Sequence, residues 1–160
     1  MKPNPQLEQF WREYPEYHGL VKEQATFGVS FVPLAFQDTN VRAAFRAPPD
    51  ADLVLTSAFV ELLTAGSQAY SIAIPILLTF VNNAEARNIN NVPLDITCMA
   101  GFGNAAGPLP SSPFAWPIVV KANTVFSVIA TNLDSGNAFN VFVAFACVRV
   151  ILPAGLVAHA

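Results

Sequence analysis

At 160 residues, 53% hydrophobic and only 12% charged, the chain is long enough for one domain with its own core, and it carries about half of the ~25% charge usual for soluble domains. A net charge of −3 with no cluster of Lys or Arg removes the electrostatic footprint of a protein that holds nucleic acid by its phosphates. So little charge leaves much apolar surface to keep from water, and self-association into a dimer or trimer is the simplest expectation.

Seven of the 19 charged residues fall in the first 24 positions, leaving 12 for the other 136. This divides the chain into an amino-terminal arm, residues 1–24, and a body, residues 25–160. The opening MKPNPQLEQFWREY has prolines and charges where a secretory signal carries its apolar segment, so no export signal is expected, and synthesis in the cytoplasm is. Asn4 can cap a helix with Pro5 in its first turn, and Leu7, Phe10, Trp11 and Tyr14 follow at helical spacing until Pro15 ends it. So short a helix is marginal in water and needs an apolar surface to lie on. Together with Tyr17, these residues form an aromatic arm suited to clasping a partner, or equally to lying as a lid over its own body.

From Thr26 the pattern changes to period two, rich in β-branched and aromatic residues. Eight strands are predicted, at residues 26–36, 40–46, 53–64, 70–81, 88–92, 94–100, 117–131 and 139–152. Turn chemistry separates them: QDTN, APPDAD, TAGSQ, NNAEA, the long GFGNAAGPLPSSPFAWP, and NLDSGNA. Residues 62–84 carry no charge, but Gly66, Ser67, Gln68 and Pro75 interrupt them, so strands are expected there and not a membrane span. The expected fold is all-β, an antiparallel β-sandwich of jelly-roll type with a short amino-terminal helical arm.

Alternation says which faces are wet. Val41, Ala43 and Phe45 oppose Arg42, Ala44 and Arg46, which suits a strand near an edge. In the last strand Val141, Val143, Phe145 and Cys147 oppose Phe142, Ala144, Ala146 and Val148, so both faces are dry. A two-layer sandwich covers only one of them. The other must meet the arm, a loop or another subunit, which makes Val141, Val143, Phe145 and Phe142 candidates for a core or oligomer interface.

No catalytic constellation stands out. Gly101, Gly103 and Gly107 miss the dinucleotide spacing, and Pro108, Pro110 and Pro113 forbid the helix that would hold the anion. His18 and His159 lie near the two ends and belong to no metal-ligand spacing, so no metal and no cofactor are expected. Asp50 and Asp52, with Asp95, are the nearest approach to a carboxylate pair for a hydrolase, and with Asp38 to a calcium site, but their turn context accounts for Asp on its own. Cys98 and Cys147 sit in apolar runs and are expected as reduced, buried side chains. Phe114 and Trp116 in the long loop, with the many asparagines, offer a carbohydrate-binding alternative, against which stands Trp116 packing on the core.

The carboxy-terminal half, ARNINNVPLD, then SPFAWPIVVKANTVFSVIATNL, then NAFNVFVAFACVRVIL, resembles small β-sandwich structural proteins of tailed bacteriophages. It is similar to them in a polar turn leading to Asn-x-Pro-apolar, a Pro-flanked aromatic strand, and an Asn-Leu turn before the last strand. The resemblance covers residues 84–152. It implies a virion component, a capsid decoration or cement protein or a minor head protein, located on the capsid or in the head-to-tail region. Its partners would be the major capsid protein or other virion proteins, with neither nucleic acid nor membrane.

Overall fold

The computed structural model describes residues 5–64, 76–84, 87–90, 92–96 and 112–153. They form helix α1 (Pro5–Glu13), a 3₁₀ turn (Pro15–Tyr17) and strands β1 (Lys22–Leu34), β2 (Val41–Arg46), β3 (Ala51–Thr64), β4 (Ile76–Asn82), β5 (Arg87–Asn88), β6 (Leu94–Asp95), β7 (Ser112–Val120), β8 (Val125–Asn132) and β9 (Phe139–Ile151). One sheet has the order β1-β9-β3-β7 and the other β2-β8-β4-β5, with β6 also on β4, and every pairing is antiparallel.

The two-residue strands β5 and β6 are pieces of one edge. β5 pairs with Val81 and Asn82, and β6 with Leu77 and Leu78. Between them the Asn90 side chain stands in for a peptide unit: its Nδ2 donates to the Leu78 carbonyl (3.1 Å) and its Oδ1 accepts from the Phe80 N–H (2.8 Å). Taken as one interrupted strand, they leave four strands in each sheet, each sheet interleaving strands from both ends of the chain. That is the order of a jelly roll, and the expected fold class holds.

The predicted boundaries need corrections. The strand predicted over 117–131 is two strands, because Lys121–Thr124 turns the chain: Asn123 takes a left-handed φ of 59° and the Thr124 N–H donates to the Lys121 carbonyl at 3.1 Å. Asn supplies that conformation without the Gly or Pro that would have marked it. Ser112–Trp116, read as loop, belongs to β7, and residues 22–24, read as the end of the arm, already pair with β9. Expectations on Asn4, residues 70–75 and 97–100, Cys98, the three loop glycines and His159 lie outside the described residues.

Between the sheets the core is built on phenylalanine. Phe126 lies 5.4 Å from Phe145, Phe80 5.5 Å from Phe145 and Phe45 5.5 Å from Phe126, centroid to centroid. β2 is the edge predicted for it, with Val41, Ala43 and Phe45 half-buried and Arg42, Ala44 and Arg46 exposed. β9 lies between β1 and β3 and sends Val141, Val143, Phe145 and Cys147 into the core. Among the described residues, no helix is long and apolar enough to cross a membrane.

Candidate functional site

The second dry face of β9 lies on the outside of the four-stranded sheet. Five rows cross it: Val150 flanked by Asp52 and Lys22, Val148 by Val54 and Gln24, Ala146 by Ser57 and Thr26, Ala144 by Phe59 and Gly28, and Phe142 by Glu61 and Ser30. A bulge at Thr56 keeps β3 in step, so that Leu55 and Ala58 both reach the core. The Thr56 hydroxyl anchors the bulge by donating to the Ala146 carbonyl at 3.1 Å.

The arm covers the first two rows. Phe10 and Tyr17 are buried against Val54, Val148 and Val150, with Leu7, Trp11, Tyr14, Leu20, Trp116 and Val119 packed around them. Phe10 stacks on Tyr14 at 4.3 Å and meets Trp116 at 6.1 Å. The helix therefore finds its apolar surface on its own body, the lid arrangement. Of the candidate interface residues, Val141, Val143 and Phe145 are core, and Phe142 alone faces outward.

A polar latch holds the arm down. Asp52, only 3% exposed, accepts from the Tyr17 hydroxyl (2.7 Å), the Lys121 ammonium (3.1 Å) and the Ala122 N–H (2.7 Å). Lys121 also donates to the Tyr17 oxygen at 2.8 Å. Burial first, then the hydrogen bond to the Asp52 carboxylate, holds the Tyr17 phenol well above its ordinary pKa. Lys22 ties the base of the arm, donating to the Tyr17 carbonyl at 2.8 Å and lying over the Trp11 ring. His18 Nε2–H donates to the Trp11 carbonyl at 2.6 Å.

The last three rows lie beyond the arm. Phe59 and Phe142 are each 36% exposed, beside Ala144, Ser30 and Gly28. A shallow depression of about 300 Å³ runs over Gly28, Ser30, Phe142 and Ala144. Gly28 is required by close approach, since a Cβ there would lie 2.8 Å from the Val143 carbonyl oxygen. The result is a surface of small side chains and two phenyl rings whose one charge is the exposed Glu61 beside Phe142.

The other candidates are drawn into structure. Asp50 pairs with Arg149 at 2.7 Å, Asp38 accepts from the Ala35 N–H at 2.8 Å, and Asp95 lies on the β6 edge opposite Leu77. No three His, Cys, Asp or Glu side chains gather as for a metal among the described residues. The Cys147 thiol is free and buried, its pKa pushed up to about 11 by burial. Phe114 packs toward Phe80 and Phe145, while Trp116, half-buried under the arm, lines with Tyr14 and Asn82 a cleft of about 420 Å³.

Sequence reasoning found the arm and the dry face but missed Lys121, which sat inside a predicted strand. Only its place in a polar KANT interruption hinted at it. Compared with models of known protein families and with curated proteins, the chain matches none.

Proposed function

We propose that this chain is a non-enzymatic structural protein of a phage-type virion, a capsid decoration or cement protein or a minor capsid protein, attached through many protein–protein contacts. The observation that carries this reading is the open end of the outer sheet face, with Phe59 and Phe142 exposed over small side chains. Those three rows span about 20 by 14 Å, roughly 300 Å² from strand spacings. One such contact is weak against the ~800 Å² per partner of a standard interface, but repeated over a shell, many act together. The jelly-roll order supports the class without choosing within it, since it serves capsid and lectin domains alike.

The test is co-sedimentation of the chain with shells assembled from the major capsid protein of the same genome. Saturable binding of many copies per shell is expected, lost in Phe59→Asp and Phe142→Asp variants that still fold. Shells that bring down no protein at saturating concentration refute it. A carbohydrate-binding or receptor-binding module remains the second reading, favoured by the ring-lined cleft beside Tyr14 and Trp116, which has a volume suited to a small ligand. Quenching of Trp116 by free monosaccharides or by a glycan panel would favour it.

A further inference from the structure

We propose that β1 is an assembly edge: a second copy of the chain lays its own β1 antiparallel against it about a two-fold axis, joining two four-stranded sheets into one. This goes beyond the shell reading and leaves its open rows free. Register says which backbone groups are available. The Ile151 N–H donates to the Val21 carbonyl at 3.0 Å, and from there the partners run in step from Lys22 opposite Val150 to Phe31 opposite Val141. Odd residues of β1 therefore bond to β9, and Gln24, Thr26, Gly28 and Ser30 turn N–H and C=O toward the free edge. All four are exposed. β2 lies in the other sheet and meets β1 through side chains, with Phe27 stacked on Phe45 at 5.5 Å.

Unpaired edges invite pairing, and the other edges carry guards against it. β7 has Pro113 and Pro117 and gives its Val119 carbonyl to Asn82 Nδ2 at 3.2 Å; β2 exposes Arg42 and Arg46; β5 and β6 have two residues each. β1 is 13 residues long, and from Gln24 to Val32 it has neither charge nor proline. Its core-facing Ala25, Phe27 and Val29 are half-buried, whereas Val141, Val143 and Phe145 beside them on β9 are buried. An apolar strip is left there that one more strand would cover.

A second copy fits that strip. Pairing centred on Phe27 sets Thr26 against the partner's Gly28 and Gln24 against the partner's Ser30, about eight backbone bonds, against about ten in a typical interface. Phe27 then meets the partner's Phe27 as a cross-strand aromatic pair, and Lys22 and Glu23 fall opposite the partner's Val32 and Phe31, so no like charges face each other. The arm packs toward Trp116 and Val119 of β7, on the far side of the sheet from this edge. With the axis perpendicular to the sheet, both outer faces point the same way, and a pair presents two sets of open rows to one shell. The paired run is only about 24 Å long and one sheet deep, so association in solution is weak.

The test follows the full-length chain from micromolar to millimolar by light scattering and by amide hydrogen exchange. The mass is expected to rise toward two chains while exchange at Gln24, Thr26, Gly28 and Ser30 slows several-fold and Ala25, Phe27 and Val29, already bonded to β9, stay constant. Thr26→Pro removes an outward N–H and spares the bonds to β9, and Thr26→Lys adds an edge charge; each should leave a folded monomer. A monomer at millimolar concentration overturns the pairing, as does a dimer without that alternating protection or one that survives both substitutions. Protection that appears only when shells are added overturns the second copy and gives the edge to a strand of the shell. A monomer that coats shells leaves the proposed function standing, and a β1-paired dimer that shells do not bind overturns that function alone.

Discussion

Replacing Tyr17 with Phe keeps its ring in the stack and removes only the hydroxyl that joins arm to body. That hydroxyl donates to a carboxylate 3% exposed, at 2.7 Å, and hydrogen bonds to charged groups contribute about 1.5–3 kcal/mol. Asp52 retains the Ala122 N–H and Lys121, which argues for the lower part of the range. The Lys121 side chain is 55% exposed, so a solvated ion pair does not make up the loss. A cost of about 2 kcal/mol is roughly a 30-fold weaker docking of the arm. Native-state hydrogen exchange reads this directly: protection of the Tyr14 N–H, which bonds the Phe10 carbonyl, should fall about 30-fold while the Val143 amide in β9 keeps its protection. Both tryptophans, Trp11 and Trp116, lie in the arm cluster, so their quenching by acrylamide should rise in parallel. If Val143 loses protection as much as Tyr14, the arm is part of the global folding unit and the latch is misconceived; unchanged protection at both sites refutes the bond's contribution.

The same hydroxyl sets a pH limit. Because the folded phenol is held above its ordinary value of 10.0, arm docking is at full strength below that pH and weakens as pH rises beyond it, since the undocked arm ionises first; acrylamide quenching against pH should show this in the wild type and not in Tyr17→Phe, which separates it from lysine titration. By strand propensity Gly28→Ala would stabilise β1, yet the Cβ would meet the Val143 carbonyl oxygen at 2.8 Å, so a loss of about 1–3 kcal/mol is expected in urea unfolding. Cys147, buried and with its pKa pushed up to about 11, should resist thiol reagents at neutral pH until the sandwich unfolds, and rapid labelling of a native Cys98→Ser chain would contradict its place in the core.

Much of this architecture was legible in the sequence because it is local. The Leu7–Phe10–Trp11–Tyr14 spacing gave the helix, and the Val41–Arg46 alternation gave an edge strand. The second dry face of β9 was expected to be covered; the arm covers it at Val148 and Val150, while Phe142 at the other end stays exposed. What failed locally was the Lys121–Thr124 turn, where one Asn does the work usually marked by Gly. Two of the asparagines are structural for a reason composition cannot show: Asn132 donates to the Ala35 and Asn137 carbonyls, both at 2.9 Å, while its Oδ1 accepts from the Asp134 N–H at the same distance, and Asn90 splices a broken edge.

By itself, then, the sequence determined the class of fold, the strand faces and the existence of an aromatic arm, since side-chain period and turn chemistry act within a few residues. Only the tertiary structure decided that the arm lies on its own sheet, that it covers two rows of five, and that Asp52 meets Tyr17 and Lys121, 35 and 69 positions away. Those outcomes depend on register. A single bulge at Thr56 sets which β3 side chains face outward, and no periodicity in the sequence records which distant strand a residue will pair with.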